Sequence, residues 1–156
     1  MKKLAFVFIG LFILVVSRAQ DKGEPTKENY YFSTQIEGEF DMVVEQVKVA
    51  LKEEGFGVIS EIDVQQKMNE KVEGATMGRY LILGACNPHF AYKALQHEKL
   101  IGTMLPCNVV IHEIGKNKYE VAAVNPVASM QAVENEELGG IATSVKEKLA
   151  RVIDNL

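Results

Sequence analysis

The two cysteines of the chain, each followed by an asparagine, are the residues best suited to chemistry. Cys86-Asn87 closes one apolar run, and Cys107-Asn108 opens the next. A proline stands beside each pair, so the backbone is restricted at both places. Thiolates bind soft metals and exchange with disulfides, whereas amide side chains bind small polar ligands. Because functional residues are commonly built where buried elements end, these two elements form the candidate site.

Three sulfur atoms of the chain could form a soft-metal site. Cys86, Cys107 and Met130 carry the thiolate and thioether groups that Cu(I) prefers, and one of the three histidines could complete the set. The ligand spacing of a zinc site is absent. The sequence therefore predicts these three residues as candidate metal ligands, with core packing as the alternative for Met130.

The cysteines also allow a disulfide, a pair of buried structural thiols or a redox thiol. A disulfide needs Cα atoms within about 7 Å of each other. Parallel strands would separate Cys86 from Cys107 by roughly 20 Å, whereas antiparallel strands would bring both to one end of the sheet. The long connection between the two runs favours the parallel arrangement. For a redox role Cys86 is the better candidate, because a helix that starts at Pro88 could lower the thiol pKa.

Three polar side chains complete the predicted ligand site, and each has a structural alternative. Asn87 and Asn108 either hold tight turns or bind a small polar or anionic ligand together with the first N–H groups of the helix at Pro88. Asp63 either contributes to the site or caps the helix that follows it. His112 is not part of this predicted ligand site: it is predicted to lie in a strand and to be partly exposed.

Hydropathy periods predict the elements that position these residues. Alternation from Tyr30 predicts a first strand, and helical spacing from Phe40 to Leu51 predicts a helix that stops at Gly55. Further strands are predicted at 57–62, 80–85, 107–114 and 119–124, and further helices at 63–72, from 88 and from 136 onward. This order predicts a single compact α+β domain with about five strands in a mixed sheet and helices packed mainly on one face.

The first 19 residues have the layout of a secretory signal peptide. A basic start precedes an apolar run from Leu4 to Val16, and small residues precede a cleavage site after Ala19. The run is shorter than the roughly 20 residues of a membrane-spanning helix, although an uncleaved anchor is the alternative. We expect a periplasmic or secreted protein with a flexible tether at 20–29 and one domain at 30–156.

Composition excludes several classes of partner and enzyme. Cleavage would remove three of the 17 basic residues and none of the 21 acidic ones, which shifts the net charge from −4 to −7. Nucleic acids and anionic membranes require a basic face, so neither is expected as a partner after cleavage. The chain has no phosphate-binding loop, nucleophile elbow, CxxC or HExxH motif. No particular cofactor follows from the sequence.

Three motifs in order resemble the domain-of-unknown-function 302 family. They are GACNP at 84–88, IGxxLPCNVV at 101–110 and NPxxxM at 125–130. The resemblance covers 30–130 and implies a compact α+β domain, commonly a homodimer, with no assigned reaction. The family's usual aspartate before the last proline is Asn125 here. Positions that match the family pattern are Asp63, Lys71, Gly84, Cys86, Asn87, Pro88, Ala91, Leu95, Gly102, Pro106, Cys107, Asn108, Glu113, Pro126 and Met130.

Three functions are consistent with these patterns. The first is a non-catalytic, homodimeric module that binds a small ligand or a soft metal at Cys86/Asn87 and Cys107/Asn108. The second is a thiol-redox enzyme or carrier that uses Cys86 or Cys107. The third is a purely structural or protein-docking domain, in which the amphipathic helix after Glu136 supplies the partner surface.

Overall fold

The computed structural model describes residues 30–156. The predicted signal peptide at 1–19 and tether at 20–29 lie outside these residues. The strands are β1 Tyr31–Glu37, β2 Gly57–Asp63, β3 Tyr80–Cys86, β4 Cys107–Gly115 and β5 Lys118–Val124. The α-helices are α1 Phe40–Glu53, α2 Val64–Lys71, α3 Pro88–His97, α4 Pro126–Ser129 and α5 Gly139–Asp154, and short 3-10 turns cover Lys99–Met104, Met130–Val133 and Glu136–Leu138. The predicted elements are thus confirmed in their order.

The five strands form one open sheet in the order β1-β5-β4-β3-β2, and all four neighbouring pairs are antiparallel. The α+β class is confirmed, but the predicted mixed sheet is wrong. The connection from β3 to β4 does not carry the chain to the far end of the sheet. Helix α3 and the 3-10 turn Lys99–Met104 return the chain to the end where β3 finished. The two strands therefore run in opposite directions.

The core lies between one face of the sheet and helices α1 and α5. Alternate strand residues such as Leu83, Val109 and Val121 are fully buried on this face. They pack against the apolar stripes of both helices, which include Val47 and Leu149. Helix α1 stops where Gly55 adopts a φ of 84°, as the sequence predicted. Packing of the helices mainly on one face is confirmed.

The opposite face of the sheet remains partly exposed. Its central positions hold Tyr80, Ile82, Val110, Glu120 and Ala122, whose side chains are half-buried. Helix α2, which follows the edge strand β2, buries none of its residues. Among residues 30–156, no helix combines the length and hydropathy that crossing a bilayer requires. We call the sheet face opposite the core, which carries these half-buried side chains, the open face.

Candidate functional site

The antiparallel pairing of β3 and β4 brings both cysteines to the same end of the sheet. Cys107 lies opposite Ala85, and Cys86 lies opposite Gly57 on the other neighbouring strand. Both are free thiols, Cys107 buried and Cys86 half-buried. The separation expected for parallel strands is therefore wrong, because the strand direction on which it depended is reversed.

A small apolar cavity borders both cysteines and Met130. It has a volume of about 30 Å³. Met130 begins the 3-10 turn that follows helix α4, so it reaches the cavity from a different part of the chain than the cysteines do. The remaining lining comes from β3, helices α3 and α5 and the connections before β2, α3 and β4: Phe56, Ala85, Asn87, Phe90, Ala91, Ala94, Leu105, Ile141, Ala142 and Val145. The three predicted sulfur residues thus share one cavity.

Burial keeps both thiols protonated at neutral pH. It raises the pKa of Cys86 above its ordinary value. The pKa of Cys107 is raised to about 11, first by burial and second by the charge of the neighbouring Cys86 thiolate. The expectation that the helix start at Pro88 lowers the pKa of Cys86 is therefore wrong.

Asn87 caps helix α3 directly after Cys86. Its Oδ1 accepts the backbone N–H groups of His89 at 3.1 Å and Phe90 at 3.3 Å. These are the donors that would otherwise face an anion at the helix N-terminus. The turn-holding interpretation of Asn87 is confirmed.

Asp63 and Asn108 do not join the sulfur-lined cavity. Asp63 caps α2 by accepting the Gln66 N–H at 2.8 Å. It lies six residues along β2 from the position opposite Cys86, roughly 20 Å away at the rise of an extended strand. Asn108 lies opposite Gly84 on the open face, whereas Cys107 faces the core. Strand alternation separates these two neighbours.

The open face carries a second polar cluster that the sequence patterns above did not identify. Nε2 of His112 lies 3.0 Å from Oε2 of Glu120, and both side chains are about one-third exposed, at 32% and 30%. The Tyr80 ring stacks on the imidazole at a centroid distance of 5.7 Å. Hydrogen bonds from Ser33 and His112 hold the pKa of Glu120 below its usual value. Glu120 is therefore a fixed carboxylate at the centre of the face.

A sequence signal for this cluster existed. Alternation placed His112 outward, and it places Glu120 outward on the next strand as well. The turn at 115–118 sets the register of the β4–β5 hairpin, in which His112 lies opposite Glu120. Alternation therefore places both residues on the same face, but their pairing also depends on the irregularity between Glu113 and Gly115, which shifts the register by one residue.

Fold and site together define a small α+β domain with an open-faced antiparallel sheet and two free thiols, one buried and one half-buried. Residues 32–156 match the family model described as "Domain of unknown function DUF302", and the chain belongs to this family. The resemblance inferred from the three motifs is confirmed. No curated protein matches the chain.

A solved structure has the same fold. It is the crystal structure of an uncharacterized conserved DUF302 protein from Bacillus stearothermophilus, which superposes with a TM-score of 0.73. The two sequences are 26% identical, and the match covers 80% of this chain and 96% of the other.

Proposed function

We propose that this domain is an exported, non-catalytic module that binds a soft metal ion of the Cu(I) class. The observation that carries the proposal is that Cys86, Cys107 and Met130 line one cavity. These residues come from β3, β4 and the turn after α4, so they border the same cavity only in the folded chain.

The size of the cavity supports an ion over an organic ligand. A volume of about 30 Å³ suits one water-sized body. Pockets for organic ligands commonly measure roughly 300 Å³ or more. Of the two ligands expected at the cysteines, the soft metal is therefore the better fit.

The chemistry of the available ligands supports Cu(I) over zinc. Residues 30–156 contain no group of three or more His, Cys, Asp or Glu residues arranged to hold a metal. Structural zinc sites use four such ligands, whereas Cu(I) accepts thiolates and a thioether. The apolar walls supplied by residues such as Phe90 and Val145 would keep water away from the ion.

The raised thiol pKa values favour this function over redox catalysis. A redox cysteine requires a depressed pKa, and both cysteines have the opposite shift. A bound metal must displace the thiol protons, so the affinity should increase with pH up to the pKa of Cys107.

Competition for Cu(I) with a chromogenic chelator, on reduced and metal-free protein, tests the proposal. We expect one Cu(I) per chain and complete loss of binding in Cys107→Ser and Cys86→Ser. Met130→Leu should weaken binding about tenfold, because it removes only the neutral ligand.

A matched control and a second cysteine variant make the result interpretable. Met68→Leu changes an exposed methionine on α2 and should leave Cu(I) affinity unchanged. Cys107→Ala preserves an apolar wall if the serine variant is unfolded. An unchanged Cu(I) stoichiometry in folded Cys107 variants would contradict the site assignment.

Assembly as a homodimer is part of the same proposal. The edge strand β1 pairs with β5 along its full length without a bulge, and its other side has no partner strand among residues 30–156. The other edge strand, β2, contains an irregularity between Val58 and Ser60 that blunts its edge. A regular edge with one charged residue, Glu37, favours pairing with a second copy.

A further inference from the structure

The open face contains a groove that is much larger than the sulfur-lined cavity. Its volume is about 270 Å³. The floor consists of small apolar side chains, including Val110 and Ala122, and the polar groups are Asn108, His112 and Glu120. This combination of apolar floor and few polar groups is typical of small-molecule sites.

From this groove we infer a binding site for a small organic cation, such as an alkylammonium compound, on the open face. Glu120 supplies the negative charge, and the rings of Tyr31 and Tyr80 supply electron-rich surfaces. Aromatic faces attract ammonium groups, most strongly when a carboxylate is close by. The site is independent of the proposed metal site.

Charge complementarity favours a cation over other occupants. Among residues 30–156, no lysine or arginine lines the groove, so these residues offer no partner to an anion or a phosphate. Glu120 is held in place at 3.0 Å from His112, which is itself stacked on Tyr80. The contact with His112 is made by Oε2 of Glu120, and a carboxylate has further acceptor positions. The charge is therefore available to a ligand.

The aromatic side chains at the groove make ring contacts with one another and with His112. Tyr30 and Tyr31 are in edge-to-face contact at 4.8 Å between ring centroids. Tyr80 is held by the imidazole of His112. Preorganised rings lose little conformational entropy on binding, which increases the affinity for a small ligand.

Titration calorimetry with choline and its neutral carbon isostere, in which tert-butyl replaces trimethylammonium, tests the inference. The purified protein is titrated at mildly alkaline pH. We expect choline to bind and the isostere to bind at least about tenfold more weakly, since it lacks the charge attracted by Glu120.

Two variants identify the groups that bind. Glu120→Gln preserves the shape of the groove and should weaken choline binding about tenfold, and Tyr80→Leu should weaken it as well. Glu73→Gln removes an exposed carboxylate outside the groove and should have no effect.

Three results would overturn the inference. The first is the absence of choline binding, and the second is equal binding of the neutral isostere, which would mean a merely apolar groove. The third is a dimer that dissociates in Val110→Lys, because a second copy would then cover the open face. Circular dichroism confirms that each variant is folded before it is titrated.

Discussion

Gly84 determines how closely Pro106 approaches the sheet. A Cβ atom at position 84 would meet Ser60 Oγ and would lie 2.7 Å from Pro106 Cγ. The serine can rotate away, but the proline ring is rigid and directly precedes Cys107. Only glycine therefore fits at position 84 without displacing Pro106.

We predict that Gly84→Ala destabilises the protein by about 1–3 kcal/mol, the usual cost of overpacking. Gly140→Ala is the matched control on α5. Among residues 30–156, no neighbouring atom lies within 4 Å of the place that its new methyl group would take, and alanine favours helix. Urea unfolding compares the two variants. Equal stabilities would contradict the steric argument.

At the scale of elements, one carboxylate ties α1 to α5. Glu54 follows α1, and its two oxygens accept Arg151 Nε and a terminal guanidinium N–H, each at 2.9 Å. Lys148 Nζ donates to the backbone oxygen of Glu54 at 3.0 Å and to its carboxylate at 3.2 Å. Arg151, followed by Lys148, lowers the pKa of Glu54 from 4.5 to about 2.

This cluster should make stability depend on pH in the acid range. Since the folded pKa of Glu54 is depressed, its contribution is present above pH 4.5 and is lost as pH falls towards about 2. Glu54→Gln should cost about 1 kcal/mol at neutral pH, after allowance for the exposure of Arg151. Thermal melts across the acid range should therefore converge for the variant and the native protein. A constant difference would exclude the linkage.

The helices and strands could be predicted from the sequence because the hydropathy patterns that indicate them are local. Period-two alternation at Tyr30 and helical spacing after Phe40 depend on a few neighbouring residues. The direction of β4 relative to β3 depends instead on how the chain between Pro88 and Pro106 folds back, and no local pattern carries that information. The grouping of Cys86, Cys107 and Met130 was predicted from sulfur chemistry alone. Asn108 and Cys107 were predicted to share a site, although alternation along a strand places neighbouring side chains on opposite faces.

At the scale of the whole molecule, α5 completes the core of its own chain. Its amphipathic face was one predicted surface for a partner. Val145, Leu149 and Val152 on this face are instead buried against the sheet and α1. The amphipathic pattern correctly predicted that one face of α5 is buried. It does not indicate whether that face packs against its own chain or against a partner. The apolar face of α5 is therefore not available to a partner.

The free edge of β1 is the surface that we expect a second copy to use. Antiparallel pairing of β1 with its counterpart would satisfy the outward backbone groups of both strands and join two five-stranded sheets. The groove on the open face includes Tyr31 of β1, so pairing through this edge would place the second copy beside the proposed cation site.

Gln35→Lys should shift the mass measured by light scattering from that of a dimer towards that of a monomer. Gln35 is exposed near the middle of β1, and two-fold pairing would bring two added lysines close together at an edge where charge opposes association. Gln131→Lys makes the same change at an exposed position on the 3-10 turn Met130–Val133 and should leave the dimer intact. A native protein that is monomeric at every concentration, or a Gln35→Lys variant that remains dimeric, would rule out association through β1.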